Sequence, residues 1–126
     1  MIKKLYGNLI NSLNGLKIVI KENSFILELI GGIFLILYLF NTDISTLFKL
    51  LILSVYFVLL AFEIFNTSIE KLCDKITKET DKDIKIIKDL SSASVFVVLF
   101  ILIILIIFTF WINLGKLIIS LSFVIK

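Results

Sequence analysis

The sequence has no arginine, histidine, glutamine or proline, and it contains a single cysteine among 126 residues. Without histidine, and with Cys73 as the only thiol, the chain lacks the usual ligands of a zinc site and the parts of a Ser-His-Asp triad, and it cannot form an intramolecular disulfide. Its chemistry must therefore come from carboxylates, lysines, asparagines and hydroxyl groups. The net charge is only +3, and with no soluble basic domain nucleic-acid binding is not expected.

Most of the residues that the chain does contain are apolar. They make up 60% of the chain, and the mean hydropathy of +1.12 lies far outside the range of soluble domains. We therefore expect an all-α integral membrane protein that forms one domain over residues 1–126. Three membrane helices of this size cannot enclose a large aqueous site alone, which favours an oligomer with a shared site.

The N-terminal segment, residues 1–22, is predicted to be an amphipathic helix at the membrane interface, whereas three transmembrane spans are predicted at 25–40, 47–65 and 93–112. Apolar residues recur in the N-terminal segment at helical spacing: Leu5, Leu9, Leu13, Leu16 and Ile20.

Polar residues separate the three spans. The second helix is expected to continue past the membrane through Glu70 and Asp74, and a charged loop from Lys75 to Lys85 is predicted to follow it. Gly115 and Lys116 are expected to close the third span and to leave an apolar tail.

The lysines are distributed unevenly about these spans and predict the orientation. Three of them, Lys49, Lys116 and Lys126, fall on one side. Ten fall on the other side: Lys3, Lys4, Lys17, Lys21, Lys71, Lys75, Lys78, Lys82, Lys85 and Lys88. Positive residues stay preferentially in the cytoplasm, so the N-terminus and the charged loop are predicted to be cytoplasmic.

Four polar residues at the inner end of the second span mark a candidate site. Glu63, Asn66, Glu70 and Asp74 follow one another at spacings of three or four residues and so share one helical stripe. An ionisable group at membrane depth costs about 2.5–3.5 kcal/mol on insertion scales, and such groups usually face a protein interior and carry function.

This set of residues suits phosphoryl transfer, which needs a metal, cations and a group that accepts a proton. Glu22 and Glu70 offer the hard oxygen ligands that Mg²⁺ prefers, and Lys88 is a candidate phosphate partner. Glu63 lies deepest, where loss of water makes a carboxylate a better proton acceptor. Asn66 could hold a hydroxyl or a phosphate by hydrogen bonds.

The motif E-x-x-N-x-x-x-E at residues 63–70, followed by Asp74 and by the sequence Lys88-Asp89-Leu-Ser-Ser-Ala93, resembles the signature of the small bacterial diacylglycerol kinase and undecaprenol kinase family. The upstream cluster Glu22-Asn-Ser-Phe25 with Glu28 is similar to that family's first acidic cluster. The resemblance covers about residues 11–98, including the spacing between the blocks.

The resemblance implies a homotrimer in the bacterial inner membrane, with active sites shared between neighbouring subunits, that uses ATP and Mg²⁺ to phosphorylate a lipid hydroxyl. It implies that Glu63 is the catalytic base and that Glu22 and Glu70 are metal ligands. It also implies that four residues position the phosphates and the lipid: Asn66, Asp74, Lys88 and Asp89. The chain differs from many relatives at Ile26, where the family often has arginine, and at Asp81-Lys82, where relatives have Tyr-His.

Two alternatives stay open at the level of sequence. Diacylglycerol and undecaprenol are both candidate acceptors, because their reacting alcohols are chemically similar. A non-enzymatic membrane protein, a scaffold or a small pore, is the alternative function, and in that case the acidic stripe would line an ion path. Glu28 and Glu79, taken singly, are interpreted as solvated caps or interfacial anchors.

Overall fold

The structure is a computed structural model that describes residues 1–77, 79 and 81–124. Within these ranges the chain forms no strand and folds into four helices: α1 (Ile2–Val19), α2 (Asn23–Asn41), α3 (Thr46–Ile76) and α4 (Lys82–Val124). The last three are long and apolar enough to cross a membrane. The all-helical fold with three membrane-spanning helices is thus confirmed, whereas the trimer stays a prediction. Lys78 of the predicted loop and Lys126 of the lysine count lie outside the described residues.

The third helix runs unbroken past Glu70 and Asp74, as expected, and ends at Ile76. Its start is capped by Ser45, whose hydroxyl accepts a hydrogen bond from the backbone N–H of Phe48 at 3.4 Å. One continuous helix therefore carries the acidic stripe, and the relative positions of its side chains follow helical geometry.

The fourth helix is longer at both ends than predicted. It begins at Lys82, so the loop predicted from Lys75 to Lys85 is wrong in its last part. The Asp81 carboxylate caps the helix there, because it accepts hydrogen bonds from the backbone N–H groups of Asp83 and Ile84, at 2.8 and 3.0 Å. The expected end at Gly115 is wrong, since α4 continues to Val124. No described glycine has a positive φ, so Gly115 does not form the left-handed turn that ends many helices.

The hydrophobic core lies between α3 and its two neighbours. Helix α3 packs most extensively against α4 and to a lesser degree against α2. One buried cluster joins the three helices: Leu35, Leu39, Ile52, Tyr56, Leu59, Val98 and Leu102. The core thus sits in the middle of the spans, and the acidic end of α3 projects beyond it.

Helices α2 and α3 approach each other closely at Gly32. The ring and hydroxyl of Tyr56 occupy the place that a Cβ on Gly32 would take, whereas nothing lies within 4 Å of a Cβ on Gly31. The Tyr56 hydroxyl also donates a hydrogen bond to the backbone carbonyl of Glu28 at 3.2 Å. Of the two adjacent glycines, Gly32 alone therefore lies at the close approach between α2 and α3.

Polar side chains connect the helices at the end of the bundle opposite the acidic stripe. The Tyr38 hydroxyl lies 2.9 Å from the Oγ1 of Thr109, which is fully buried. Lys116 donates hydrogen bonds to the backbone carbonyl and the carboxylate of Asp43, at 2.7 and 3.2 Å. These bonds hold the turn between α2 and α3 against α4, away from the acidic stripe.

Candidate active site

The acidic stripe of α3 passes from the protein interior to the surface. Glu63 is 3% exposed and Asn66 is 7% exposed, whereas Glu70 and Asp74, one and two turns further on, are exposed. A carboxylate and an amide are thus held in the interior of a helix bundle whose other buried polar residues carry only hydroxyl groups: Thr67, Ser91 and Thr109. Such groups are rarely kept at that depth without a partner or a function.

Glu63, Asn66 and Glu70 line an open groove of about 350 Å³ between the helices. Ser24 of α2 adds a hydroxyl to this groove, and α4 supplies the opposite wall with Ser92, Val95, Phe96 and Leu99. The groove therefore has one polar side, made of oxygen and amide groups, and one largely apolar side. Such a lining can accept a polar headgroup and the start of an apolar chain together.

Two oxygen atoms of the stripe have no hydrogen-bond partner. The Asn66 amide donates to Glu70 Oε1 at 3.2 Å, but Glu63 Oε1 and Asn66 Oδ1 are buried without a partner among the described residues. A buried polar atom left unpaired costs about 1–3 kcal/mol. A hydroxyl or N–H group bound in the groove would therefore gain most binding free energy by donating a hydrogen bond to one of these oxygens.

Three ion pairs surround this end of the bundle. Lys71 donates to Glu22 Oε1 at 2.6 Å and Lys85 to Asp89 Oδ2 at 2.6 Å, while Lys88 is paired with Asp74. The paired side chains are one third or more exposed in every case, so each pair contributes little stability.

The carboxylates near the groove do not form a closed metal cage. In the part of the chain that the structure describes, no three carboxylate or thiol groups converge on one point. Mg²⁺, however, usually takes only one or two protein carboxylates and completes its shell with water and phosphate oxygens. Glu70 lines the groove and Glu22 is paired with Lys71 of α3, so each offers one carboxylate of the kind that such a site uses.

The structure brings together some of the predicted site residues but not all of them. Glu63, Asn66 and Glu70 share the groove. The remaining four do not line it and stand instead in the surrounding ion pairs: Glu22, Asp74, Lys88 and Asp89. Within the single chain the candidate site therefore consists of a buried part and a separate charged rim.

Sequence reasoning missed the position of Glu28. Its Oε2 is buried without a partner among the described residues, and it lines a second, apolar groove of about 320 Å³ with Tyr56 and Leu99. This placement disagrees with the interpretation of Glu28 as a solvated cap. The available signal was its isolation, because it is the only carboxylate within the first predicted span.

A family model described as prokaryotic diacylglycerol kinase matches residues 10–122 of the chain. The match contains the three long apolar helices almost completely and every predicted site residue from Glu22 to Asp89. No curated protein matches the chain at a significant level.

Proposed function

The chain belongs to the prokaryotic diacylglycerol kinase family, a family of lipid kinases, and from that premise we propose that it transfers the γ-phosphate of ATP to the hydroxyl group of a membrane lipid with the help of Mg²⁺. The acceptor is diacylglycerol, which would become phosphatidic acid, or undecaprenol, which would become undecaprenyl phosphate. We further propose that the protein works as a homotrimer in the bacterial inner membrane, with its N-terminus and its active site at the cytoplasmic face, where ATP is present.

The observation that carries this proposal is the pair of unpartnered buried oxygens, Glu63 Oε1 and Asn66 Oδ1, beside a groove that is polar on one side and apolar on the other. A lipid alcohol has matching chemistry, since its hydroxyl can donate to one of these oxygens while its chain remains among apolar groups.

Glu63 is assigned the role of the base. As the lipid hydroxyl oxygen bonds to the γ-phosphorus, the bond between that phosphorus and the bridging oxygen breaks and ADP leaves. The hydroxyl proton passes to the Glu63 carboxylate. Burial of Glu63 at 3% exposure keeps water, the competing acceptor of phosphate, away from this carboxylate.

The exposed charges are assigned to the nucleotide. Bound Mg²⁺ would neutralise charge on the phosphate oxygens, and Glu22 and Glu70 are the residues proposed to hold it. Lys88, now paired with Asp74, would turn to the phosphates. Asp89 would keep Lys85 in place through their ion pair, and Asn66 would orient the transferred group.

The apolar groove that contains Glu28 supports a lipid as the acceptor rather than a soluble alcohol. Its walls include Leu27, Leu35, Leu102 and Ile106, all within the membrane-spanning parts of their helices. A chain of methylene groups placed there would exchange its contacts with other lipids for contacts with these apolar side chains. This exchange costs little free energy, because both environments are apolar.

The decisive experiment measures transfer of labelled phosphate from ATP to diacylglycerol and to undecaprenol in mixed micelles. The wild-type protein should phosphorylate at least one of the two, and Glu63→Gln should lower turnover about 10²- to 10⁴-fold while it leaves the helical content and the oligomer unchanged. Glu79→Gln makes the same chemical change on an exposed loop residue outside the groove and should retain activity.

Absence of transfer to either lipid from well-folded wild-type protein would refute the kinase proposal and favour the non-enzymatic scaffold or pore. The preferred acceptor follows directly from the ratio of kcat/KM for the two lipids.

A further inference from the structure

The helix α1 carries an unusual charge distribution. The first acidic residue of the chain is Glu22, so the segment before it contains four lysines and no carboxylate: Lys3, Lys4, Lys17 and Lys21. All four are exposed, and none of them forms an ion pair with another described residue. The segment thus presents an excess of positive charge that the described part of this subunit does not neutralise.

Alongside these lysines runs an exposed apolar stripe. Leu5, Leu9, Leu13 and Leu16 are 61%, 57%, 49% and 44% exposed, respectively, and their spacing places them on one face of the helix. Of the residues in α1, Val19 alone is buried. The rest of the stripe lacks a partner in the described structure of one subunit.

The position of α1 limits what can cover it. Backbone hydrogen bonds continue through the turn after Val19, where Ile20, Lys21 and Glu22 donate to Leu16, Ile18 and Val19, and the first membrane-spanning helix begins at Asn23. Helix α1 is therefore tethered within a few residues of the membrane face. Such a tether gives that face a high effective concentration relative to any soluble partner.

From this charge and this position we infer that α1 is a docking surface for the anionic phospholipids of the adjoining leaflet, with the leucine stripe in the acyl region and the lysines on the phosphates. Apolar contact alone would let α1 lie on any membrane. The lysines make the docking selective, because attraction to anionic lipid adds to the burial of the apolar face. Each lysine near such a surface strengthens binding about fivefold at moderate salt.

This inference goes beyond the kinase proposal and does not depend on it, since it concerns a surface that need not take part in phosphate transfer. Its test can therefore be read without any measurement of activity.

The test compares the full-length protein in nanodiscs of phosphatidylcholine with the same protein in nanodiscs that also contain phosphatidylglycerol. Hydrogen exchange of the backbone amides in residues 2–19 reports how firmly α1 docks. We expect slower exchange of these amides in the anionic nanodiscs, and we expect high salt to remove the difference because it screens exposed charges.

Two charge-matched variants make the result specific. The double substitution Lys3→Gln and Lys17→Gln should weaken the gain in protection by roughly 10- to 30-fold. The substitution of Lys75 and Lys82 by glutamine removes the same charge from the same end of the bundle but outside α1, and it should leave the gain intact.

Equal exchange of α1 in neutral and anionic nanodiscs would overturn the inference, and so would an equal loss of protection in both double variants. The first result would show that α1 docks by apolar contact alone, and the second that total charge, rather than α1, senses the lipid.

Discussion

At the scale of single residues, the candidate site depends on the burial and the hydrogen bonds of a few oxygen atoms. Glu63 and Asn66 are nearly as buried as the surrounding leucines, yet each keeps an oxygen without a partner. Glu70, one turn away, is exposed and accepts the Asn66 amide. The same stripe thus holds a buried carboxylate and a solvent-exposed carboxylate, to which the proposal gives proton transfer and metal binding, respectively.

The assignment of Glu70 to magnesium makes a prediction about metal dependence. Glu70→Gln keeps an oxygen that can accept the Asn66 hydrogen bond but removes the negative charge. We expect the concentration of Mg²⁺ needed for half-maximal turnover to rise roughly tenfold, with a smaller change in the rate at saturating metal. Turnover measured over a series of Mg²⁺ concentrations checks this.

Glu79→Gln is the matched control and should leave the metal dependence unchanged. Direct titration with Mn²⁺, followed by electron paramagnetic resonance, gives a readout that is independent of activity. An unaltered metal requirement in Glu70→Gln would remove Glu70 from the ligand set.

At the scale of helices, the close contact between α2 and α3 depends on the glycine at position 32, which has no side chain. Tyr56 fills the space beside Gly32 and donates a hydrogen bond to the backbone carbonyl of Glu28, and Glu28 lines an apolar groove that shares Leu99 with the groove of Glu63. The position of Glu28 thus follows from helix packing, and packing in turn depends on a residue without a Cβ.

Substitution at the two neighbouring glycines should therefore have unequal effects. Gly32→Ala forces Tyr56 to move and should lower the free energy of unfolding by about 1–3 kcal/mol, measured as a lower midpoint of thermal denaturation in detergent. Gly31→Ala meets open space and should be neutral or slightly stabilising, because alanine favours helix over glycine.

If both alanine variants unfolded at the same temperature, the close approach at Gly32 would not be important for stability. If only Gly32→Ala were destabilised, loss of kinase activity in that variant would be attributed to displacement of Tyr56 and Glu28.

The length of α4 illustrates why the bounds of a helix could not be predicted from the sequence alone. The apolar run from Ala93 to Ile112 correctly indicated a helix, but apolarity reports where a helix meets lipid and not where it starts. The start depends on Asp81, a cap that lies in a charged loop. The continuation of the helix past Gly115 depends on the backbone conformation there, which composition does not reveal.

At the scale of the whole molecule, one subunit leaves its site open. The groove around Glu63 is open, and many large apolar side chains on all three spans are exposed in the single chain, among them Phe34, Phe57 and Phe100. Lipid can cover such side chains, but it cannot supply the charged groups that would complete a nucleotide site. These features support the proposed trimer with sites built from two subunits.

A mixing experiment tests shared sites. Wild-type subunits are reassembled with an excess of subunits that carry Glu63→Gln, Glu70→Gln and Asp89→Asn together. If neighbouring subunits complete each site, activity per wild-type subunit should fall severalfold as the excess grows, because most wild-type subunits then have inactive neighbours. Lipid phosphorylation per mole of wild-type protein is the measurement.

Reassembly with Glu79→Gln subunits provides the control and should leave activity per wild-type subunit constant. Constant activity with the triple variant as well would show that each subunit contains a complete site, even if the protein is a trimer.

The sequence by itself determined the class of the protein, the three spanning helices and the stripe from Glu63 to Asp74, because hydropathy and helical period act over a few residues along the chain. The motif also identified the family. Only the tertiary structure decided that Glu63 and Asn66 are buried while Glu70 is exposed, that Gly32 rather than Gly31 meets α3, and that Glu28 lines an apolar groove between the helices. Those relations join residues that are distant along the chain, so they depend on how the helices pack and not on any local pattern.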